Sequence, residues 1–168
     1  MNKILSEKAY QRFITDFLRD NIGYVVRTDD IFDRYYAIDR ELLFKFLEDT
    51  QPEAMETLRK TYKDNTEDTI VNFINNKILE TSLIEVLKSE HLEISNTPIR
   101  LMYTKPATSI NKDLMALYEK NIFSVAEEIW ANDDERIDLV IFLNGFAIMS
   151  FELKCNAAGQ NYENAIKQ

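Results

Sequence analysis

The chain has one cysteine, one histidine and one tryptophan, and only three glycines and three prolines in 168 residues. The lone Cys155 excludes a disulfide framework and fits a reducing compartment. It directly follows Lys154, and no base is suggested near it, so it reads as a packed or partly exposed thiol. The lone His91 lacks the partner groups that a catalytic or metal site needs, and reads as a surface or cap residue. Scarce Gly and Pro exclude long flexible linkers, and no Gly-rich phosphate loop occurs, so nothing here is built to bind ATP. No stretch approaches the roughly 18 apolar residues of a membrane span. The opening "MNKILSEKAYQRF" has no apolar run long enough for a signal peptide. A cytoplasmic protein with no membrane partner is expected. An excess of basic residues is also missing: 20 Lys and Arg stand against 29 Asp and Glu, a formal charge of −9. That argues against a broad basic groove for nucleic acid, and leaves open a local, metal-bridged contact with phosphate.

Apolar residues make up 45%, as in folded globular proteins, and the length suits one domain with a real core, so residues 1–168 are expected to form a single domain. Tyr10, Phe13, Ile14, Phe17 and Leu18 recur at helical spacing over 6–22, with Ser6 able to cap and Gly23 to stop that helix. Residues 24–28, "YVVRT", form a short strand candidate. Asp39 can cap a second helix carrying Leu42, Leu43, Phe46 and Leu47, and Pro52 suits the first turn of a third, ending near 63. The pattern is helical from Thr66 to Ser89, with a break near Thr81-Ser82. "IRLMYT" (99–104) reads as a strand, "DLMALYEKN" as a short helix, and "IFSVAEEIW" is ambiguous. The acidic "NDDER" (132–136) reads as a solvated turn, and Trp130 and Tyr35-Tyr36 as core or interface aromatics. "NYENAIKQ" begins another helix that stops at Gln168 without a cap, as an N-terminal piece of a longer chain would.

Residues 136–155, "RIDLVIFLNGFAIMSFELKC", carry the chemistry. Asn144-Gly145 between two apolar runs is the strongest short-range hairpin signal. Both runs are apolar on both faces, as in a central sheet covered by helices. Charges at strand ends ordinarily just reach water. Three together, Asp138, Glu152 and Lys154, are harder to dismiss. Two nearby carboxylates repel, and burial penalises each, whereas a divalent cation offsets both costs. Mg²⁺ takes hard oxygen ligands, often one or two carboxylates plus water and phosphate oxygens. Lys154, two residues after Glu152, points to the same face of its strand, where an ammonium can orient a water and offset developing negative charge.

The register decides whether the three meet. A two-residue Asn144-Gly145 turn pairs Leu143 with Phe146 and sets Asp138 against Phe151, with Glu152 on the other face. A three-residue loop, Leu143-Asn144-Gly145 with Gly145 left-handed, sets Asp138 opposite Ser150 and Glu152 diagonal to it on the same face. A bulge elsewhere serves as well. A shared site therefore predicts that the obvious two-residue turn is wrong.

"IDLVIFLNGFAIMSFELK" resembles the nuclease motif of type I restriction enzyme R (HsdR) subunits, that family's form of the PD-(D/E)XK pattern, with Asp138 opening a strand, an Asn-Gly turn, and Glu152-Leu153-Lys154 ending the next. Ile137 stands where the general pattern has Pro. In that family a helix bearing Gln-x-x-x-Tyr follows; "NAIKQ" places Gln168 at the Gln position. Glu7, in "SEKAYQRF", is similar to the acidic residue on the first helix of many such nucleases, although an acid at a helix start also simply complements the helix dipole.

The resemblance implies a three-layer, restriction-endonuclease-like α/β fold, a mixed central sheet flanked by helices, with the first helix near the site. It implies Mg²⁺-dependent hydrolysis of double-stranded DNA, with Asp138, Glu152 and the Leu153 carbonyl on the metal, Lys154 positioning water, and Gln168 and Glu7 in support. ATP would enter only through a motor domain outside this chain, and the modification and specificity subunits would be partners. Two alternatives stay open: a catalytically silent docking module of the same fold, and a PD-(D/E)XK nuclease outside type I restriction.

Overall fold

The computed structural model describes residues 7–108 and 110–154. The chain is a mixed α/β protein that divides into two compact units, one formed by residues up to Ile38 and from Phe123 onward, the other by Asp39–Ile122.

The first unit is built on a six-stranded sheet. Its strands are β1 (Val25–Arg27), β2 (Phe32–Asp33), β3 (Ile38–Asp39), β6 (Phe123–Trp130), β7 (Arg136–Leu143) and β8 (Phe146–Phe151), in the order β1-β6-β7-β8-β3-β2. The β1–β6 pair is parallel and the pairs β6–β7, β7–β8 and β8–β3 are antiparallel. A mixed sheet with helices is what the resemblance implies. The ambiguous "IFSVAEEIW" becomes strand β6 because it has ladders on both sides, which no helix could satisfy. Ala126, Ile129, Val140 and Phe142 pack as a buried cluster, joined by Phe32, Ile137 and Ala147.

Helix α1 (Glu7–Phe17) continues through a wider turn, Leu18–Ile22, and stops at Gly23 with φ +85°. The helix is amphipathic as expected, yet its orientation is inverted. Gln11 and Thr15 are buried, whereas Tyr10, Phe13 and Phe17 are exposed, Phe13 at 61%.

The second unit is mostly helical: α2 (Arg40–Thr50), α3 (Pro52–Tyr62), α4 (Thr66–Glu80), α5 (Leu83–Lys88) and α6 (Lys112–Glu119), with a small hairpin of β4 (Leu92–Ile94) and β5 (Thr97–Ile99). The Asp39 carboxylate accepts from the Leu42 N–H at 3.1 Å, capping α2, and Pro52 opens α3. Ser82 caps α5 after the break at Thr81. The strand expected over 99–104 is displaced. Ser95 and Asn96, both at positive φ, turn a tight hairpin that ends at Ile99. Beyond it, side-chain amides take up the backbone groups. Gln51 brackets Arg100 (2.6 and 2.8 Å) and Asn121 brackets Tyr103 (3.1 and 2.7 Å). With these groups satisfied, no ladder is required there.

Strand β8 departs from the expectation of a strand covered on both faces. Its outer neighbour β3 pairs with it only at Ile38↔Phe146, and Ile148, Met149 and Ser150 are exposed. Among the described residues no further strand covers that edge.

The turn itself is the simple one. Leu143 pairs with Phe146, and Asn144 and Gly145 have φ of +49° and +87°, so the three-residue loop is not formed. Positive φ at both central residues matches the right-handed twist of the flanking strands. Gly145→Ala places a Cβ in the left-handed region and should lower stability by about 1–2 kcal/mol. Urea unfolding of the variant beside wild type checks this, and equal midpoints would refute it.

Candidate functional site

The ladder between β7 and β8 starts at Leu143↔Phe146 and Phe142↔Ala147, then slips: the next pair is Ile141↔Met149, leaving Ile148 as an extra residue on β8. Beyond this bulge Val140 pairs with Ser150 and Leu139 with Phe151. One further step along the same register brings Glu152 opposite Asp138, and directly opposed residues share a face. The bulge thus undoes what the tight turn would otherwise impose. Without it Glu152 would face away.

Just past β8, the Leu153 N–H donates to Asp138 Oδ2 at 2.7 Å. That bond clips the carboxylate to the Glu152-Leu153-Lys154 segment. Lys154 Nζ stands 3.6 Å from Glu152 Oε2, with side-chain exposures of 24% and 50%. Asp138 is half-buried. Two acids and one ammonium therefore lie together at one end of the hairpin, open to solvent on the Glu152 side. Among the described residues no group of three His, Cys, Asp or Glu side chains gathers as a metal cage. The available donors are all oxygens: two carboxylates and the Leu153 carbonyl. That set suits Mg²⁺ or Mn²⁺, which complete their shells with water and phosphate, rather than a thiophilic metal.

On the other side of β7, pairing with β6 runs through Glu127↔Leu139 and resumes at Ile129↔Ile137, with Glu128 opposite Asp138 between them. Glu128 has φ +56°, a rare backbone state for a residue inside a strand. Ile137 and Val140, three apart, belong to one buried cluster, which a regular two-residue pleat does not allow. The sheet is irregular beside Asp138 on its β6 side. The Glu128 carboxylate lies 3.3 Å from Arg136 and 3.9 Å from Lys8 on α1.

Helix α1 lies against β6. Its Gln11 side-chain amide donates to the Asp138 carbonyl oxygen at 2.5 Å. Glu7, one turn earlier on the same helix face, is half-buried. Of the residues singled out from sequence, Asp138, Glu152, Leu153 and Lys154 are thus gathered, and Glu7 lies on the helix face that reaches Asp138. Gln168 and Cys155 fall outside the described residues. His91 and "NDDER" are exposed, as expected. Sequence reasoning missed Gln11 and Glu128. Gln11 lies on the polar side of α1, which periodicity assigns to solvent. Glu128 lies in the segment whose secondary structure was ambiguous. The one available signal was the spacing of Gln11, four residues after Glu7.

The family model for the type I restriction enzyme R protein N terminus (HSDR_N) matches residues 4–168. No curated protein matches the chain, and no solved structure does. Matched over nearly all its length, the chain belongs to the family of type I restriction enzyme R protein N termini.

Proposed function

We propose that this chain is a Mg²⁺-dependent nuclease domain that hydrolyses phosphodiester bonds in double-stranded DNA as part of a type I restriction R subunit. The reading is carried by one observation. A bulge after a tight turn sets the β7–β8 register at Leu139↔Phe151, and just beyond it the Leu153 N–H binds the Asp138 carboxylate with Lys154 beside Glu152. Family membership and the all-oxygen donor set support it.

In this reading Asp138, Glu152 and the Leu153 carbonyl hold the cation. A divalent ion there supplies charge neutralisation for the scissile phosphate and lowers the pKa of a bound water. Asp138 keeps Oδ1 available for the cation while Oδ2 accepts from the Leu153 N–H. That bond also fixes the carboxylate's rotamer before any cation arrives. Lys154, now beside Glu152, is free to turn toward the attacking water and the phosphate, orienting the one and offsetting charge on the other. Glu7 and Gln168 support the site. The acidic balance of the chain places most of the DNA affinity elsewhere, on the modification and specificity subunits and on a motor domain that handles ATP. A cytoplasmic location accords with this role. Among the described residues no helix is long and apolar enough to cross a membrane.

The alternative, a silent docking module, draws on the exposed Tyr10, Phe13 and Phe17 of α1, an apolar stripe that a monomer would ordinarily bury. Calorimetry separates the two. Wild type should bind Mg²⁺ or Mn²⁺ at one site, and Asp138→Asn should lose most of that binding. Equal binding by both proteins would remove Asp138 from the site.

A further inference from the structure

We infer that Gln11 is a positioning residue for this site: it holds the backbone of Asp138 and thereby the direction of the Asp138 carboxylate. The inference rests on the metal-nuclease reading above and adds to it a residue on another element, 127 positions away in the chain.

Three observations carry it. Gln11 is only 4% exposed, and its amide donates to the Asp138 carbonyl. A buried amide is costly unless it is bonded, so its place there is specific rather than incidental. Second, the bond falls where the sheet is irregular. Glu128, opposite Asp138 on β6, has φ +56°, a rare backbone state inside a strand. At such a point the ladder alone does not set the backbone dihedrals of Asp138, and a side-chain donor from outside the sheet does. Third, the inner face of α1 buries the polar Gln11 and Thr15 beside half-buried Ile14, while Tyr10, Phe13 and Phe17 stay exposed. A helix held on by hydrophobic burial alone would sit the other way round.

Asp138 is then held at both ends. Gln11 fixes its main chain, and the Leu153 N–H fixes Oδ2 of its carboxylate. Groups that orient a metal ligand without touching the metal typically change affinity by about 10- to 100-fold when removed. Lys8 reaching Glu128 at 3.9 Å is a second, exposed and weaker strap between α1 and β6.

The test uses Mn²⁺ titrated calorimetrically into the protein. Gln11→Met keeps the length of the side chain and removes the donor. Gln11→Glu keeps the shape and puts an acceptor against the carbonyl. Thr15→Val, on the same buried helix face, is the control for packing. Circular dichroism and urea unfolding verify that each variant is folded. Folded Gln11→Met and Gln11→Glu should bind Mn²⁺ roughly 10-fold or more weakly, and Thr15→Val should bind like wild type. Wild-type affinity in a folded Gln11 variant overturns the inference. So does equal weakening in Thr15→Val, which would make the effect one of helix packing, and so does failure of both Gln11 variants to fold. If wild type itself takes up no Mn²⁺, or Asp138→Asn binds equally, the nuclease reading fails first, an outcome distinct from the others.

Discussion

Lys154→Ala, in the R subunit assembled with its partners, is expected to reduce DNA cleavage by about 10²-fold or more while ATP hydrolysis and translocation continue. The reasons are local. Lys154 Nζ lies 3.6 Å from Glu152 Oε2, in the segment whose Leu153 N–H holds Asp138, so its charge acts where the scissile phosphate would sit. Under the proposed function, ATP is handled by a separate motor domain, which the substitution does not touch. The fold should survive, because the partner of Lys154 is a half-exposed Glu152, and such pairs are worth only about 0–1 kcal/mol. Truncation also leaves Glu152 able to reach water, so no buried charge is stranded. Cleavage assayed beside ATPase on the same preparation decides the matter. Unchanged cleavage would make Lys154 a bystander and favour the docking module. Loss of both activities would point to a misfolded or misplaced domain.

Phe142→Ala should destabilise the sheet unit by about 3–5 kcal/mol, a large share of the roughly 5–15 kcal/mol that holds a typical protein folded. Phe142 is 1% exposed, sits in the cluster with Ala126, Ile129 and Val140, and meets Phe32 edge-on with ring centroids 5.6 Å apart. Its removal costs both the transfer free energy of the ring and the void left behind. The position also has a functional consequence. Phe142 pairs with Ala147 immediately beside the bulge that sets the Asp138–Glu152 register. A loosened anchor there should weaken cation binding even in molecules that remain folded. Phe13→Ala, on the exposed stripe of α1, is the natural comparison and should change stability by no more than about 0.5 kcal/mol. Urea midpoints and hydrogen exchange in β6, β7 and β8 test the difference. Similar midpoints for the two variants would refute the assignment of Phe142 as a core anchor.

Local signals were legible wherever a few neighbouring residues decide the outcome. Asp39 as a cap, Pro52 at a helix start, Gly23 as a stop and Asn144-Gly145 as a turn all act within a residue or two of themselves, through φ preferences and orphan N–H groups. The hairpin that carries Asp138, Glu152 and Lys154 was legible because a hairpin is local too. What only the tertiary structure decided were choices made by distant partners. Periodicity identified an apolar stripe on α1 without fixing where it points, and the Asp138 carbonyl took up the amide of Gln11, which is buried on the inner side of the helix. Residues 99–104 look strand-like, yet beyond Ile99 the side chains of Gln51 and Asn121 take up the backbone of Arg100 and Tyr103 in place of a ladder. The position of the bulge at Ile148 had no sequence mark. A single added residue in one strand shifts every pair beyond it, and its place depends on how both strands pack rather than on the chemistry of Ile148 itself.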